Sequence, residues 1–140
     1  MILPPSASTD NPLGSLADIQ LLAAWVGMGL GVLAGAVLGL FFHRDDWLGG
    51  YGSYPRRMAR LGHIALFGLA FLNLAFTLTC RTVPLDPAWA QRGAWALLVA
   101  AATMPACCFL SAWRKPLRHL FPVPVAAAVL GIASVLLGWP

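Results

Sequence analysis

The sequence predicts an all-α, polytopic membrane protein, a bundle of four transmembrane helices. The chain is 59% hydrophobic and 10% charged, whereas soluble domains carry roughly a quarter charged residues. An α-helix of about 20 residues crosses a hydrocarbon core of about 30 Å. All nine Lys and Arg residues and all five Asp residues lie outside four uncharged stretches long enough to do so, which are 19–42, 61–80, 93–113 and 120–140.

The stretches show none of the apolar-polar alternation of barrel strands, so helices are expected. The whole chain, 1–140, is predicted to be one membrane domain of two antiparallel hairpins, since its connections are too short for another domain. A Pro- and Ser-rich leader, 1–17, is expected to be flexible, and it lacks the features of a cleavable signal peptide. The helices are expected at about 18–42, 60–80, 92–113 and 120–139, with loops at 43–59 and 114–119.

The cations predict the orientation, because Lys and Arg resist translocation across a membrane. Seven of the nine lie in or beside the first and third connections, and only Arg81 and Arg92 lie in or beside the second. Loops 43–59 and 114–119 are therefore expected in the cytoplasm, with both termini outside. The predicted location is the bacterial cytoplasmic (inner) membrane.

Four glycines in the first helix recur at every fourth residue: Gly27, Gly31, Gly35 and Gly39. This spacing places them on one narrow face, where small residues let another helix approach closely. The face is predicted to pack against a helix of the same chain, of a second copy or of a foreign subunit.

The second helix carries a polar stripe formed by His63, Asn73 and Thr77, which share one helix face. An amide in hydrocarbon needs a partner, so the stripe is expected to face the bundle or a cavity. Two interpretations remain open. The stripe forms interhelical hydrogen bonds, or it binds a ligand such as a quinone headgroup.

Three histidines, His43, His63 and His119, map to the same predicted side of the membrane. Imidazoles from two helices can ligate haem b, and together with Asp45 and Asp46 they can hold a divalent metal. Histidine is also common as an interfacial or capping group. No catalytic residues are predicted, because the sequence contains none of the familiar hydrolase, zinc-protease or nucleotide-binding motifs.

The first connection combines aromatic and basic residues. A basic cluster beside a membrane helix binds anionic lipid headgroups, and aromatic rings supply contact area to a protein partner. Both interpretations are kept, and they concern the same residues: Trp47, Tyr51, Tyr54, Arg56, Arg57 and Arg60.

These features lead to the expectation of a non-catalytic accessory subunit of a larger membrane complex that transduces energy by respiration or electron transfer. The alternatives are a haem b or quinone module that uses His63 and a small homo-oligomeric channel or transporter. Bound lipids are expected, as are contacts to other subunits or to a second copy through the glycine face. No cofactor is firmly predicted, and no nucleic acid is expected to bind.

Overall fold

A computed structural model of the chain describes residues 12–140, and the greater part of the predicted leader lies outside this range. The described residues form four long helices and two short 3₁₀ turns, with no strand among them. The turns are Trp47–Gly49 and Lys115–Leu120. The helices are α1 (Pro12–Leu40), α2 (Tyr54–Thr82), α3 (Pro87–Trp113) and α4 (Pro122–Leu137).

Each of the four helices is long and apolar enough to cross a membrane, if the 3₁₀ turn at Lys115 is counted with α4. The predicted all-α class with four candidate spans is thus confirmed for the described residues. Large apolar side chains are widely exposed, including Leu22, Trp25 and Leu136, each at 65% or more. Soluble monomers rarely expose so much contiguous apolar surface.

Helices α1, α2 and α3 begin earlier than the predicted residues 18, 60 and 92, whereas α4 begins two residues later than the predicted 120. For α2 and α3 the reason is that the capping residues lie among the charged segments. The Ser53 hydroxyl accepts a hydrogen bond from the Arg56 backbone N–H at 3.3 Å and caps α2. The Asp86 carboxylate accepts from the N–H groups of Ala88 and Trp89, at 3.0 and 3.1 Å, and caps α3. Such caps satisfy backbone donors that have no partner within the helix.

Helices α2 and α3 form the central pair. Helix α1 packs on α2 and, less extensively, on α3, whereas α4 packs on α3. A core of Leu16, Phe76, Ala94 and Leu97 joins the first three helices, with Val135 of α4 packed against it.

The connections come together at two ends of the molecule. At one end, Lys115 lies 5.9 Å from the ring of Tyr54, so the first and third connections are neighbours. This end holds the cation-rich loops and is called the basic end. At the opposite end the Asp86 N–H donates to the carbonyl of Gly138 at 3.0 Å, and Arg81 pairs with Asp18 at 3.0 Å.

Candidate functional site

Polar side chains from α1 and α2 meet in the interior of the bundle, between the helices. Gln20, Asn73 and Thr77 are each only 1% exposed. The Gln20 amide donates to the Asn73 side-chain oxygen at 3.4 Å, and Asn73 donates to the carbonyls of Leu69 at 2.8 Å and Leu97 at 3.4 Å. Asn73 therefore contacts three helices. Its hydrogen bonds to Gln20 and Leu97 are of the interhelical kind expected for a buried amide in an apolar bundle, whereas that to Leu69 lies within α2.

Thr77, the next member of the stripe, bonds within its own helix, because its hydroxyl donates to the carbonyl of Asn73 at 2.9 Å. Gln20 was not among the residues singled out from the sequence. It is the only residue with a side-chain amide in the first uncharged stretch. This feature of the sequence could have identified Gln20 as a candidate partner for Asn73. A buried Asn on α2 needs a partner of this kind on a neighbouring helix.

The glycine face of α1 divides into two parts. A Cβ atom at Gly27 would lie 3.1 Å from the Cβ of Ala70, and one at Gly31 would lie 2.7 Å from the Phe67 ring. One at Gly35 would lie 2.7 Å from the imidazole of His63. These three glycines pack against α2 of the same chain. A Cβ at Gly39 would meet no atom within 4 Å.

His63 is fixed in orientation where α2 crosses α1. Its Nδ1 lies 3.0 Å from the carbonyl oxygen of Gly31, and its ring meets Phe67 edge-on at 5.4 Å. A carbonyl only accepts hydrogen bonds, so Nδ1 carries the proton and donates. In a neutral imidazole, Nε2 then keeps the lone pair. Part of the predicted polar stripe is therefore a specific contact to the glycine face.

Arg56 is the most deeply buried cation among the described residues, at 4% exposure. Its guanidinium donates to the carbonyls of Phe42 and Arg44, both at 3.1 Å, beyond the C-terminus of α1. It also lies 5.7 Å from the ring of Trp47 and 5.4 Å from that of Tyr51, within cation–π range. Since the negative end of a helix dipole favours a cation, Arg56 links α2 to the end of α1.

Several contacts hold the loop 41–53 around Arg56. Trp47 stacks on Phe41 with ring centroids 5.1 Å apart. The Ser53 hydroxyl donates to the carbonyl of Leu48 at 2.7 Å. Leu48 has a positive φ of 56°, which is uncommon for a branched apolar residue, and Gly49 and Gly50 follow with φ of 84° and 93°. The Gly-Gly pair allows the tight reversal, and the serine anchors the strained leucine.

The other predicted loop residues differ in environment. Arg60 lies 4.4 Å above the ring of Tyr51 and makes a long hydrogen bond of 3.4 Å to the Tyr51 carbonyl. Tyr54 begins α2 beneath Lys115, and Arg57 is exposed. Sequence spacing alone does not separate the buried Arg56 from its exposed neighbour.

A cavity of about 250 Å³ opens at the basic end between α1, the loop and α2. Arg56, Arg60, His63 and Trp47 line it, and Gly35 and Gly39 form its wall on the α1 side. The cavity thus unites residues that the sequence analysis had treated as separate features: the end of the glycine face, the first residue of the polar stripe and the aromatic-basic loop.

The remaining histidines, His43 and His119, are exposed. Within residues 12–140 no group of three or more His, Cys, Asp or Glu side chains is placed to hold a metal ion. The Ser111 hydroxyl is buried and has no hydrogen-bond partner among the described atoms. It lies one turn after the buried Cys107 and Cys108 on α3 and is not among the residues that line the cavity.

Comparison of the chain with protein-family models, with curated proteins and with solved structures gives no significant match.

Proposed function

We propose that the chain is a multi-pass protein of the bacterial inner membrane and a non-catalytic accessory subunit of a larger, energy-transducing membrane complex. Four helices of sufficient length and the exposed apolar side chains support the membrane placement. The orientation, with the basic end in the cytoplasm and both termini outside, follows from the seven cations gathered in and beside two loops.

The observation that carries the subunit role is the set of contacts that hold the loop 41–53. Arg56 and Ser53 hold this loop, which nevertheless presents exposed apolar and aromatic side chains, Leu48 at 40% and Tyr51 at 60%. A surface ordered before binding loses little conformational entropy when a partner docks. A strained residue held by its surroundings is also a frequent mark of a functional position.

The polar interior supports the same proposal. Gln20, Asn73 and Thr77 bind one another or backbone carbonyls. The hydrogen bonds of Gln20 and Asn73 thus link neighbouring helices, whereas that of Thr77 lies within α2. Because α2 covers Gly27, Gly31 and Gly35, the proposed partner contact lies at the loop rather than on that part of α1.

We expect Leu48→Asn to reduce recovery of the partner at least fivefold when the tagged chain is purified from its source membrane in mild detergent. The substitution removes the exposed apolar side chain, while Asn tolerates a positive φ better than Leu, so the chain should stay folded. Quantitative mass spectrometry of the co-purified subunits measures the effect.

The matched control is Leu120→Asn, because Leu120 is similarly exposed, at 46%, and belongs to the other connection of the basic end. It should leave partner recovery unchanged. Equal losses in both variants would show that the loop is not the docking site. A chain that purifies as a lone monomer would refute the subunit role, and a partner without redox or ion-translocating activity would refute its energy-transducing part.

One observation favours a second candidate, a membrane redox module. With Nδ1 of His63 bound to Gly31, Nε2 is the ring nitrogen left for a ligand, and His63 lines the cavity. A hydrogen bond from the other nitrogen commonly orients a metal-ligating histidine. The cavity of about 250 Å³ is too small to enclose a haem or a quinone, so either group would have to extend out of its opening. A haem b on His63 would give a Soret absorption band that is lost in His63→Ala, and a quinone would co-purify as an extractable lipid. A colourless, quinone-free preparation would contradict this candidate.

A further inference from the structure

Two cationic side chains line the cavity at the basic end, and neither forms an ion pair among the described residues. Arg56 and Arg60 both line it. Among the described residues the ion pair is that of Arg81 with Asp18, at the opposite end. The two guanidinium groups therefore have no described carboxylate within ion-pair distance. A buried cation without a counterion is costly, so this arrangement favours an anion.

The guanidinium groups also have hydrogen-bond donors to spare. Arg56 donates from Nη1 and Nη2 to one carbonyl each, whereas a guanidinium carries five N–H donors. Arg60 makes a single long hydrogen bond of 3.4 Å. Planar guanidinium groups match the oxygens of phosphate, to which they can donate two parallel hydrogen bonds. Two arginines with unused donors thus line one small cavity.

The shape of the cavity restricts its occupant. Its volume of about 250 Å³ is smaller than the roughly 300 to 1,000 Å³ of pockets that enclose drug-sized ligands. Gly39 leaves the α1 wall open, since a Cβ there would meet nothing within 4 Å. On the same side of α1 as this opening, two helical turns before Gly39, the side chain of Val32 is 61% exposed. A compact anionic group fits inside the cavity. An apolar chain attached to that group could extend through the opening and pack along the surface of α1.

We propose that this cavity is a single binding site for a phosphate group, with Arg56 and Arg60 as its ligands and Gly39 at its opening. Two sources share this chemistry, the headgroup of a phospholipid and free inorganic phosphate. Binding of a phospholipid rests, like the proposed function, on the placement of the chain in a membrane. Neither source of the phosphate requires a partner subunit. Loss of the site and loss of the subunit role are thus separate results.

The test is native mass spectrometry of the full chain in mild detergent, titrated with phosphatidylglycerol and with a diacylglycerol of the same acyl chains. We expect one phosphatidylglycerol per chain and at least tenfold weaker binding of diacylglycerol, which lacks the phosphate. Competition by millimolar inorganic phosphate would identify free phosphate as a ligand, and its absence would identify the lipid. Equal binding of the two lipids would overturn the proposal.

Two pairs of variants locate the site. Arg60→Gln should weaken phosphatidylglycerol binding at least tenfold, whereas Arg57→Gln, which removes the same charge from an exposed neighbour, should change it less than twofold. Gly39→Leu should fill the opening and weaken binding similarly. Gly29→Leu makes the same change at another open position of α1, outside the cavity, and should not. Equal effects of the two variants in either pair would show that the lipid adsorbs non-specifically to the charged or apolar surface of the protein. Such a result would overturn the proposal.

Discussion

Replacement of Arg56 by Ala is expected to lower the free energy of unfolding by about 3 kcal/mol. Hydrogen bonds to charged groups contribute about 1.5 to 3 kcal/mol each, and Arg56 donates to the carbonyls of both Phe42 and Arg44. Its contacts with the rings of Trp47 and Tyr51 would also be lost. Because the accepting carbonyls lie in an exposed loop, water can replace part of the loss. The expected value is therefore below the sum of the separate contributions.

Reversible unfolding in mixed micelles measures the change in free energy, and limited trypsin digestion measures the opening of the loop. Cleavage after Arg44 should become faster in the variant, since Arg56 no longer holds the Arg44 carbonyl. Arg57→Ala removes the same charge from the next residue, whose side chain is exposed. It should cost less than about 0.5 kcal/mol, as surface substitutions usually do. Similar losses in the two variants would mean that net charge, and not the buried contacts, stabilises the loop.

The comparison of Arg56 with Arg57 also shows what the sequence could and could not predict. The two residues are adjacent and chemically identical, and the cluster as a whole was recognisable. The first turn of α2, set by the Ser53 cap, turns one side chain toward the end of α1 and leaves the other exposed. The predicted helix bounds were drawn from the positions of charged residues and not from capping residues. The direction of each arginine side chain could therefore not be predicted.

The glycine face was predictable for a different reason. A four-residue repeat stays on one side of a helix whatever the tertiary structure, so the existence of a close helix contact follows from sequence. The neighbour that covers it depends on how α2 crosses α1. That crossing covers Gly27, Gly31 and Gly35 and leaves Gly39 beside the cavity. Asn73 was recognised as a polar residue in an apolar helix, but its partner Gln20 lies 53 positions away in the chain.

A second large effect is expected at Gly131, where α4 approaches α3. A Cβ at this position would lie 2.5 Å from both Cγ and Cδ2 of Leu97. The Leu97 side chain is 1% exposed and belongs to the core, so it has little room to move. Overpacking of a core typically costs about 1 to 3 kcal/mol. Gly131→Ala should therefore destabilise the protein, although alanine favours the helix over glycine by up to about 1 kcal/mol.

Gly68→Ala isolates the steric part of this effect. Gly68 lies inside α2, and a Cβ there would meet nothing within 4 Å. The gain in helix propensity applies to both variants, so the difference between their unfolding free energies measures the contact with Leu97. We expect Gly68→Ala to be neutral or stabilising and the difference to be about 2 kcal/mol.

Shortening Leu97 should separate a local clash from a general intolerance of α4 to substitution. Leu97→Val alone should leave a small cavity and destabilise the protein, because the side chain is fully buried. Combined with Gly131→Ala, it provides space for the added methyl group. Residues in contact show coupling energies of about 0.5 to 3 kcal/mol, so the double variant should lose at least about 0.5 kcal/mol less than the sum of the single losses. Strict additivity would mean that Gly131 and Leu97 do not contact each other between α3 and α4.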